Sequence, residues 1–387
     1  MRHRILYINN SADIYGASRC LVRILRVLDR SKYEPLVLLP EDGPLATALR
    51  ELNAEIIFFP QLSVITRSVF GSWKLLPFLF GLPISIFGLR RILKARHVDL
   101  VHTNTGVMLS PGPAAWLAGV PHVLHVRDWF QEFRGLWKYY AAGKHFFSTR
   151  ILAVSQSVAG QFPTSYQVLV VHDGIELEEF ISLPPDAGAE FRARYSLGNG
   201  SVAGCVGRIK LVRKGQEVLV RAADLLKKRG VRGKYLIVGA PYVANESHLE
   251  KLQALVRECG LQEDVIFTGE LSDTRAAYAA MDVFVLPSAQ TEPFGGVVTE
   301  AMCSGLPVIA TNIGGPVEQV VEGETGFLVP PGDAAALADK LEILFRDPAM
   351  QKRMGEAGRE RAMRCFQLKE MVGKIERVYE ECLGSAK

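Results

Sequence analysis

Short apolar runs alternate with helical stretches along the whole chain, and polar residues gather where the runs end. Runs of this length between helix-period segments predict βαβ units and parallel sheets. In the first half they fall at Arg4–Asn10, Pro35–Pro40, Glu55–Pro60, Asp99–Asn104, Pro121–Asp128, Arg150–Gln156 and Gln167–Asp173. A second series follows at Val202–Val206, Tyr235–Val238, Val265–Thr268, Val283–Pro287, Pro307–Thr311 and Gly326–Val329. Between the series lies Ser182–Glu190, rich in Pro and Gly, which reads as a connection within residues 175–198. Residues 1–174 and 199–365 are therefore expected to be two Rossmann-like α/β domains. Helical patterns close the chain at Asp333–Phe345, Pro348–Arg364 and Gln367–Cys382.

Composition and charge sharpen this. The 387 residues, 48% of them apolar, suffice for two buried cores. Six scattered cysteines with no Cys-x-x-Cys pair point to free thiols in a reducing, cytoplasmic setting. The N-terminus runs directly into a strand, with no secretory pattern. Net charge is +4 overall, but +8 over residues 1–173 and −4 over the rest. A basic first half fits an acidic partner, either anionic lipid or a phosphate-bearing substrate. Nucleic acid is not expected, because no basic run is interleaved with aromatics. Seven of the eight histidines lie in the first half, at spacings that suggest no metal site.

The stretch richest in chemistry is Thr291–Gly305, after the strand ending at Ser288 and opening a helix. Pro293 suits a helix approach, and Gly295 and Gly296 let a ligand come close to the backbone. The free amides of a helix N-terminus attract phosphate. Glu292 precedes the helix and Glu300 lies in it. Carboxylates beside an anion site make sense if they bind sugar hydroxyls. A solvated helix residue and a loop residue are the plain alternative. Gly204–Gly215 holds Arg208, Lys210, Arg213 and Lys214, a cation set fit for a diphosphate or simply a solvated face.

Glu292 and Glu300, with seven residues between them, resemble the Glu-x7-Glu motif of retaining GT-B glycosyltransferases, in particular glycosyltransferase family 4. The flanking Glu-Pro-Phe-Gly, Glu-Ala-Met and Ser-Gly-Leu-Pro-Val-Ile-Ala, then Gly314-Gly315 with Glu318, are similar too. The resemblance covers nearly the whole chain. It implies a GT-B fold: two Rossmann-like domains facing across a cleft, with residues 366–387 crossing back onto the first. In the family's Gly-Arg…Lys-Gly motif, Arg208 and Lys214 would hold the donor diphosphate, stabilising charge as the nucleotide leaves. Glu292 would contact the donor sugar and Glu300 the ribose, and Phe294, Gly295 and Gly296 would line the donor. The catalytic set implied is Glu292, Arg208 and Lys214. No Asp-x-Asp occurs, so neither a metal nor any other cofactor is expected, and the nucleotide-diphosphate sugar is a co-substrate. Phe267-Thr-Gly269 resembles the segment beside the nucleobase. The family has no agreed nucleophile, and front-face displacement is usually proposed.

In the first half, Asn9–Arg19 matches a loop that is usually Gly-Gly-Ala. Here it reads Tyr15-Gly16-Ala17, and Gly16 is carried over as a donor contact. His125, Arg127 and Asp128 end the fifth run and are the acceptor-side candidates. Family members often place a His where Arg127 stands, so Arg127 is expected to hold an acceptor phosphate or carboxylate. His102 ends the fourth run. His172-Asp173-Gly174 stands where the family has Pro-Asn-Gly.

Val69–Arg96 is unusual. Trp73, Phe78, Phe80 and Phe87 sit among aliphatics, with Lys74, Arg90, Arg91, Lys94 and Arg96 around them. The uncharged run Leu75–Leu89 is 15 residues long with two prolines, which is short for a membrane span. Two readings stand open: an interfacial segment at an anionic membrane, and a broken helix packed on the sheet.

The function implied is retaining transfer from a nucleotide-diphosphate sugar to a hydroxyl of a glycan or lipid-linked envelope precursor. It would occur in the cytoplasm, with peripheral contact at the inner face of the membrane if the segment is interfacial. The alternatives are a sugar-nucleotide 2-epimerase of the same fold and a non-catalytic sugar-nucleotide binding protein. A dehydrogenase would need Gly-x-Gly-x-x-Gly after a first strand, and neither Asn10–Arg19 nor Gly204–Gly215 supplies it.

Overall fold

A computed structural model describes residues 2–65, 75–242 and 245–384. Two compact units emerge: Met1–Gly174 with Leu368–Lys387, and Ile175–Gln367. In the first, seven parallel strands form one sheet: β1 (His3–Ile8), β2 (Tyr33–Leu39), β3 (Glu55–Phe58), β4 (Leu100–Thr103), β5 (His122–Val126), β6 (Arg150–Ala153) and β7 (Val168–Val170). Their order is β3-β2-β1-β4-β5-β6-β7. In the second, β8 (Val202–Val206), β9 (Lys234–Val238), β10 (Val265–Gly269), β11 (Val283–Leu286), β12 (Val308–Thr311) and β13 (Gly326–Val329) take the order β10-β9-β8-β11-β12-β13, all parallel.

Each apolar run becomes a strand because helices cover both faces, and a strand buried on both sides needs no polar alternation. β4 shows it: Leu100, Val101, His102 and Thr103 are all fully buried. Most runs lose their terminal residues to the loops, since polar ends such as Asn9-Asn10 and Arg127-Asp128 turn out of the ladder. Strand order reverses beside β1 and β4 in one sheet and beside β8 and β11 in the other. Doubly wound sheets bind ligands beyond the carboxyl ends of strands at such points.

The helix Leu368–Gly384 belongs to the first unit, where Met371, Val372, Ile375, Val378 and Tyr379 enter the core beside Ile5, Leu21 and Leu100. The Tyr379 hydroxyl meets His102 Nδ1 at 2.6 Å and donates to the Tyr7 hydroxyl at 3.2 Å.

Residues 175–198 are more than a connection. They hold the helices Glu178–Ile181 and Ala187–Arg194 and group with the second unit. Phe180 and Phe191 are buried there, and Arg192 reaches Asp282 at 2.8 Å. Aromatic anchors and one ion pair outweigh the Pro and Gly content.

Val69–Lys74, with Trp73 and Lys74, lies outside the described residues. From Leu75 to Ala95 the chain is one helix of 21 residues running through Pro83, not a broken one. Leu76–Ala95 is by length and composition long enough to cross a membrane, where the uncharged run alone was expected to be too short. Pro83 and Leu79 are both exposed, so the missing backbone hydrogen bond falls on the outer face, where Leu79's carbonyl can find water.

Candidate functional site

At the switch point of the second sheet, β8 and β11 lie side by side. Their carboxyl-end loops, residues 207–215 and 287–295, emerge together. Gly215, which caps the helix Gln216–Lys228, has φ +68°. A Cβ there would lie 1.8 Å from the Pro287 carbonyl oxygen, so only glycine lets the loops close on each other. The Gln290 amide donates to the Arg213 carbonyl, and buried Gln216 donates to the Arg208 carbonyl at 2.9 Å. This bracing brings the Lys214 ammonium 2.5 Å from Oε2 of Glu292, with side chains 26% and 17% exposed. Arg208, on the same loop, is exposed with its guanidinium 5.4 Å from the centre of the Tyr242 ring.

Glu292 is fixed from behind. Its carbonyl accepts from the Gly315 amide at 2.8 Å. At Gly314, φ is +71° and a Cβ would stand 2.2 Å from that same oxygen. The Ser288 hydroxyl lies 3.5 Å from Oε2. The helix Gly296–Cys303 then begins at Gly295 with no side-chain cap, and Gly296 is exposed. Its first amides form a positive end next to a lysine and a carboxylate. Gln319, fully buried, holds this turn by donating to the Gly295 carbonyl and, at 2.8 Å, to Thr299 Oγ1.

Two expected donor residues sit deeper than their motif suggests. Glu300 is 7% exposed, and its Oε2 accepts from the Tyr278 hydroxyl at 2.9 Å. Phe294 is 4% exposed and packs edge-on against Phe366, so it can offer a donor only backbone. Gln216, Tyr278 and Gln319 escaped the sequence reading. Only Gln216 carried a signal, through its place directly after Lys214-Gly215.

In the first unit, Gly16 opens the helix Gly16–Val27 at the carboxyl end of β1, exposed and uncapped by any side chain. Arg127 proves to be a buried structural cation. Its side chain is 7% exposed and ion-paired with Asp173, and it reaches His125 Nδ1 at 3.2 Å and Asn104 Oδ1 at 3.4 Å. Burial acts to lower its pKa, but Asp173 and Cys20 outweigh that and raise it. Its guanidinium thus has partners within the protein, as Lys214 has in Glu292. His125 is fully buried and held well below its usual pKa by burial, then by Arg127. Its Nε2, like that of His102, has no hydrogen-bond partner among the described residues. Asp128 is part-exposed, and its Oδ2 accepts from the Gly106 amide at 2.6 Å. Of the three acceptor-side candidates, His125 is fully buried, and Arg127 and Asp128 are half-buried residues.

The description "Glycosyltransferase Family 4" matches residues 14–179, and "Glycosyl transferases group 1" matches residues 189–361. Between them they cover most of the chain. The chain belongs to this glycosyltransferase family. It is 36% identical over 199 residues to a GDP-mannose-dependent alpha-(1-6)-phosphatidylinositol monomannoside mannosyltransferase of Mycolicibacterium smegmatis, 49% of this chain and 50% of that one. It is 30% identical to the capsular polysaccharide biosynthesis glycosyltransferase CapM of Staphylococcus aureus, over 62% of this chain and 63% of that one. The matched region thus spans about half to under two thirds of these relatives. Among solved structures, Anabaena HepE in complex with UDP and glucose superposes with a TM-score of 0.82 at 24% identity, covering 98% of this chain and 100% of that one. The fold is GT-B.

Proposed function

We propose that the protein transfers a glycosyl group from a nucleotide-diphosphate sugar to a hydroxyl with retention of configuration. The observation that carries this is the Lys214–Glu292 pair at the second sheet's switch point, beside the exposed, uncapped start of the helix Gly296–Cys303. In this reading Arg208 and Lys214 take up the charge that grows on the departing diphosphate. Glu292 orients the donor sugar through its hydroxyls. Glu300 contacts the ribose, its carboxylate held in place by Tyr278. The positive charge comes from side chains, so the reaction needs no metal or other cofactor. The mannosyltransferase and capsule relatives support a glycan or lipid-linked envelope precursor as acceptor. The six cysteines are unpaired, in keeping with a cytoplasmic place.

The test is a thermal-shift screen of the whole protein against UDP, GDP, ADP and their sugars. A ligand at a hundred times its Kd adds about 2.7 kcal/mol of stability. One nucleotide should stand out, and its sugar should be consumed only with an acceptor, giving a product of unchanged anomeric configuration by NMR. No response to any nucleotide would sink the reading. Donor altered without acceptor would reveal an epimerase, and tight binding without turnover a binding protein.

A further inference from the structure

The helix Leu75–Ala95 connects β3 to β4. It therefore runs from the carboxyl edge of the first sheet down to its amino edge. Its two faces differ sharply. Ser85, Leu89 and Leu93 are buried, the leucines in a core cluster with Leu6, Leu36 and Val101. Ser85 Oγ donates to Ser110 Oγ at 2.7 Å and accepts from the Ser63 amide at 3.1 Å. On the other side Leu76, Leu79, Phe80, Ile84 and Phe87 are 50–78% exposed. Leu76, Phe80, Ile84 and Phe87 recur every three or four residues, with Leu79 beside Phe80, so they form one stripe. The same stripe continues as Arg91 and Lys94, both exposed. The neighbouring helix Pro111–Ala118 exposes Trp116, and Arg90 Nε ties the two helices by donating to the Leu117 carbonyl at 3.1 Å.

A stripe this apolar on a soluble surface marks a docking site. Charge decides what docks: an apolar strip ending in two cations, on a half-chain of charge +8, matches an anionic lipid surface. Spanning the bilayer does not fit. A span would pull Leu89 and Leu93 from the core and break the bonds of Ser85, and three cations lie within its last six residues.

We propose that this outer face docks flat on an anionic membrane. Phe80, Ile84 and Phe87 sink to the acyl boundary, and Arg91 and Lys94 meet lipid phosphates. The apolar end of the stripe lies at the carboxyl edge of the sheet, where ligands of such sheets bind. If the glycosyltransfer reading holds, a lipid-linked acceptor would be offered at that edge.

The experiment is co-sedimentation of the whole protein with vesicles of phosphatidylcholine alone or mixed with phosphatidylglycerol. Binding should require the anionic lipid and weaken as salt rises. Phe80→Ser with Phe87→Ser, and separately Arg91→Gln with Lys94→Gln, should each lower binding about tenfold or more. Arg90 and Arg96 are left intact, since Arg96 pairs with Glu55 at 2.7 Å and Arg90 holds Leu117. Circular dichroism and the nucleotide-induced thermal shift should match wild type in both variants. Equal binding to both vesicle types, binding to neither, or a solution dimer that Phe80→Ser with Phe87→Ser makes monomeric would overturn the proposal. The thermal shift reports nucleotide binding separately, so the docking proposal and the glycosyltransfer reading can fail independently.

Discussion

Lys214 Nζ lies 2.5 Å from Oε2 of Glu292, across 78 residues of sequence. The lysine therefore has a carboxylate partner already, and on the proposed mechanism an arriving diphosphate would share it. Replacing Lys214 or Arg208 by Ala should slow donor turnover roughly a hundredfold or more, the usual cost of losing an electrostatic stabiliser. A nucleoside without phosphates should bind as before. Glu292→Gln should separate the roles: the free nucleotide diphosphate should bind at least as tightly as to wild type, while turnover falls. Calorimetry and steady-state kinetics check both. Near-normal turnover in Lys214→Ala and Arg208→Ala would remove them from the mechanism.

Excess EDTA should leave turnover unchanged. On the proposed mechanism Arg208 and Lys214 would carry the positive charge that a divalent ion supplies elsewhere. Loss of activity on chelation, with rescue by magnesium or manganese, would show that these cations are not enough.

Gly16 and Gly296 offer a clean steric probe. Neither has an atom within 4 Å of where a Cβ would sit, and neither has positive φ. Alanine at either position should hold or raise the melting temperature, since alanine favours a helix over glycine by about 1 kcal/mol. If donor oxygens come close to these amides, Gly296→Ala should raise the donor KM severalfold and Gly16→Ala should lower kcat/KM. Unchanged kinetics in both would mean that the donor lies elsewhere.

The loops 207–215 and 287–295 were legible because each follows an unmistakable apolar run and carries its glycines and charges in a fixed spacing. What brings them together was not. Gly215 against Pro287, and Gly314 against Glu292, are contacts between distant segments that no local pattern encodes. The partners of Arg127 were hidden for the same reason. A cation at a strand end reads as a ligand group, and its filling by Asp173 depends on the spacing of β5 and β7 across the sheet. The helix Leu75–Ala95 misled differently. Its prolines suggest a break, but the grip of Ser85, Leu89 and Leu93 on the sheet outweighs the bond lost at Pro83.

Acid should loosen the first unit. Burial, then the charge of Arg127, holds His102 down at about 3, and burial holds His122 at about 4. Both are neutral in the folded protein at pH 5, whereas an unfolded histidine titrates near 6.5. The unfolded chain then binds the extra protons, so stability falls as pH drops below about 6.5 and levels off at the folded values. Between pH 7 and 5 each histidine should cost about 2 kcal/mol. Urea unfolding at the two pH values measures it, and His102→Phe should flatten the slope by its share. A pH-independent midpoint would contradict the neutral, buried state of these rings.

The Arg127–Asp173 pair, buried on the arginine side and 24% exposed at the aspartate, makes a prediction of its own. Arg127→Met leaves Asp173 without its cation, at a cost of about 2 kcal/mol, below the range for a fully buried pair. Adding Asp173→Asn should recover much of that loss. A stable Arg127→Met protein that had lost only acceptor affinity would restore the acceptor role to this arginine.

The seat of Tyr379 beside His102 and Tyr7 governs how the protein is born. The strands of the first unit are made first, yet part of their core arrives with the helix Leu368–Gly384. The second unit, one unbroken stretch of chain, can fold as soon as it leaves the ribosome. The first must wait with one apolar flank bare, so the order of folding reverses the order of synthesis. A chain stopped at Gln367 should therefore still bind nucleotide in its second unit while its first unit falls to proteases and draws chaperones.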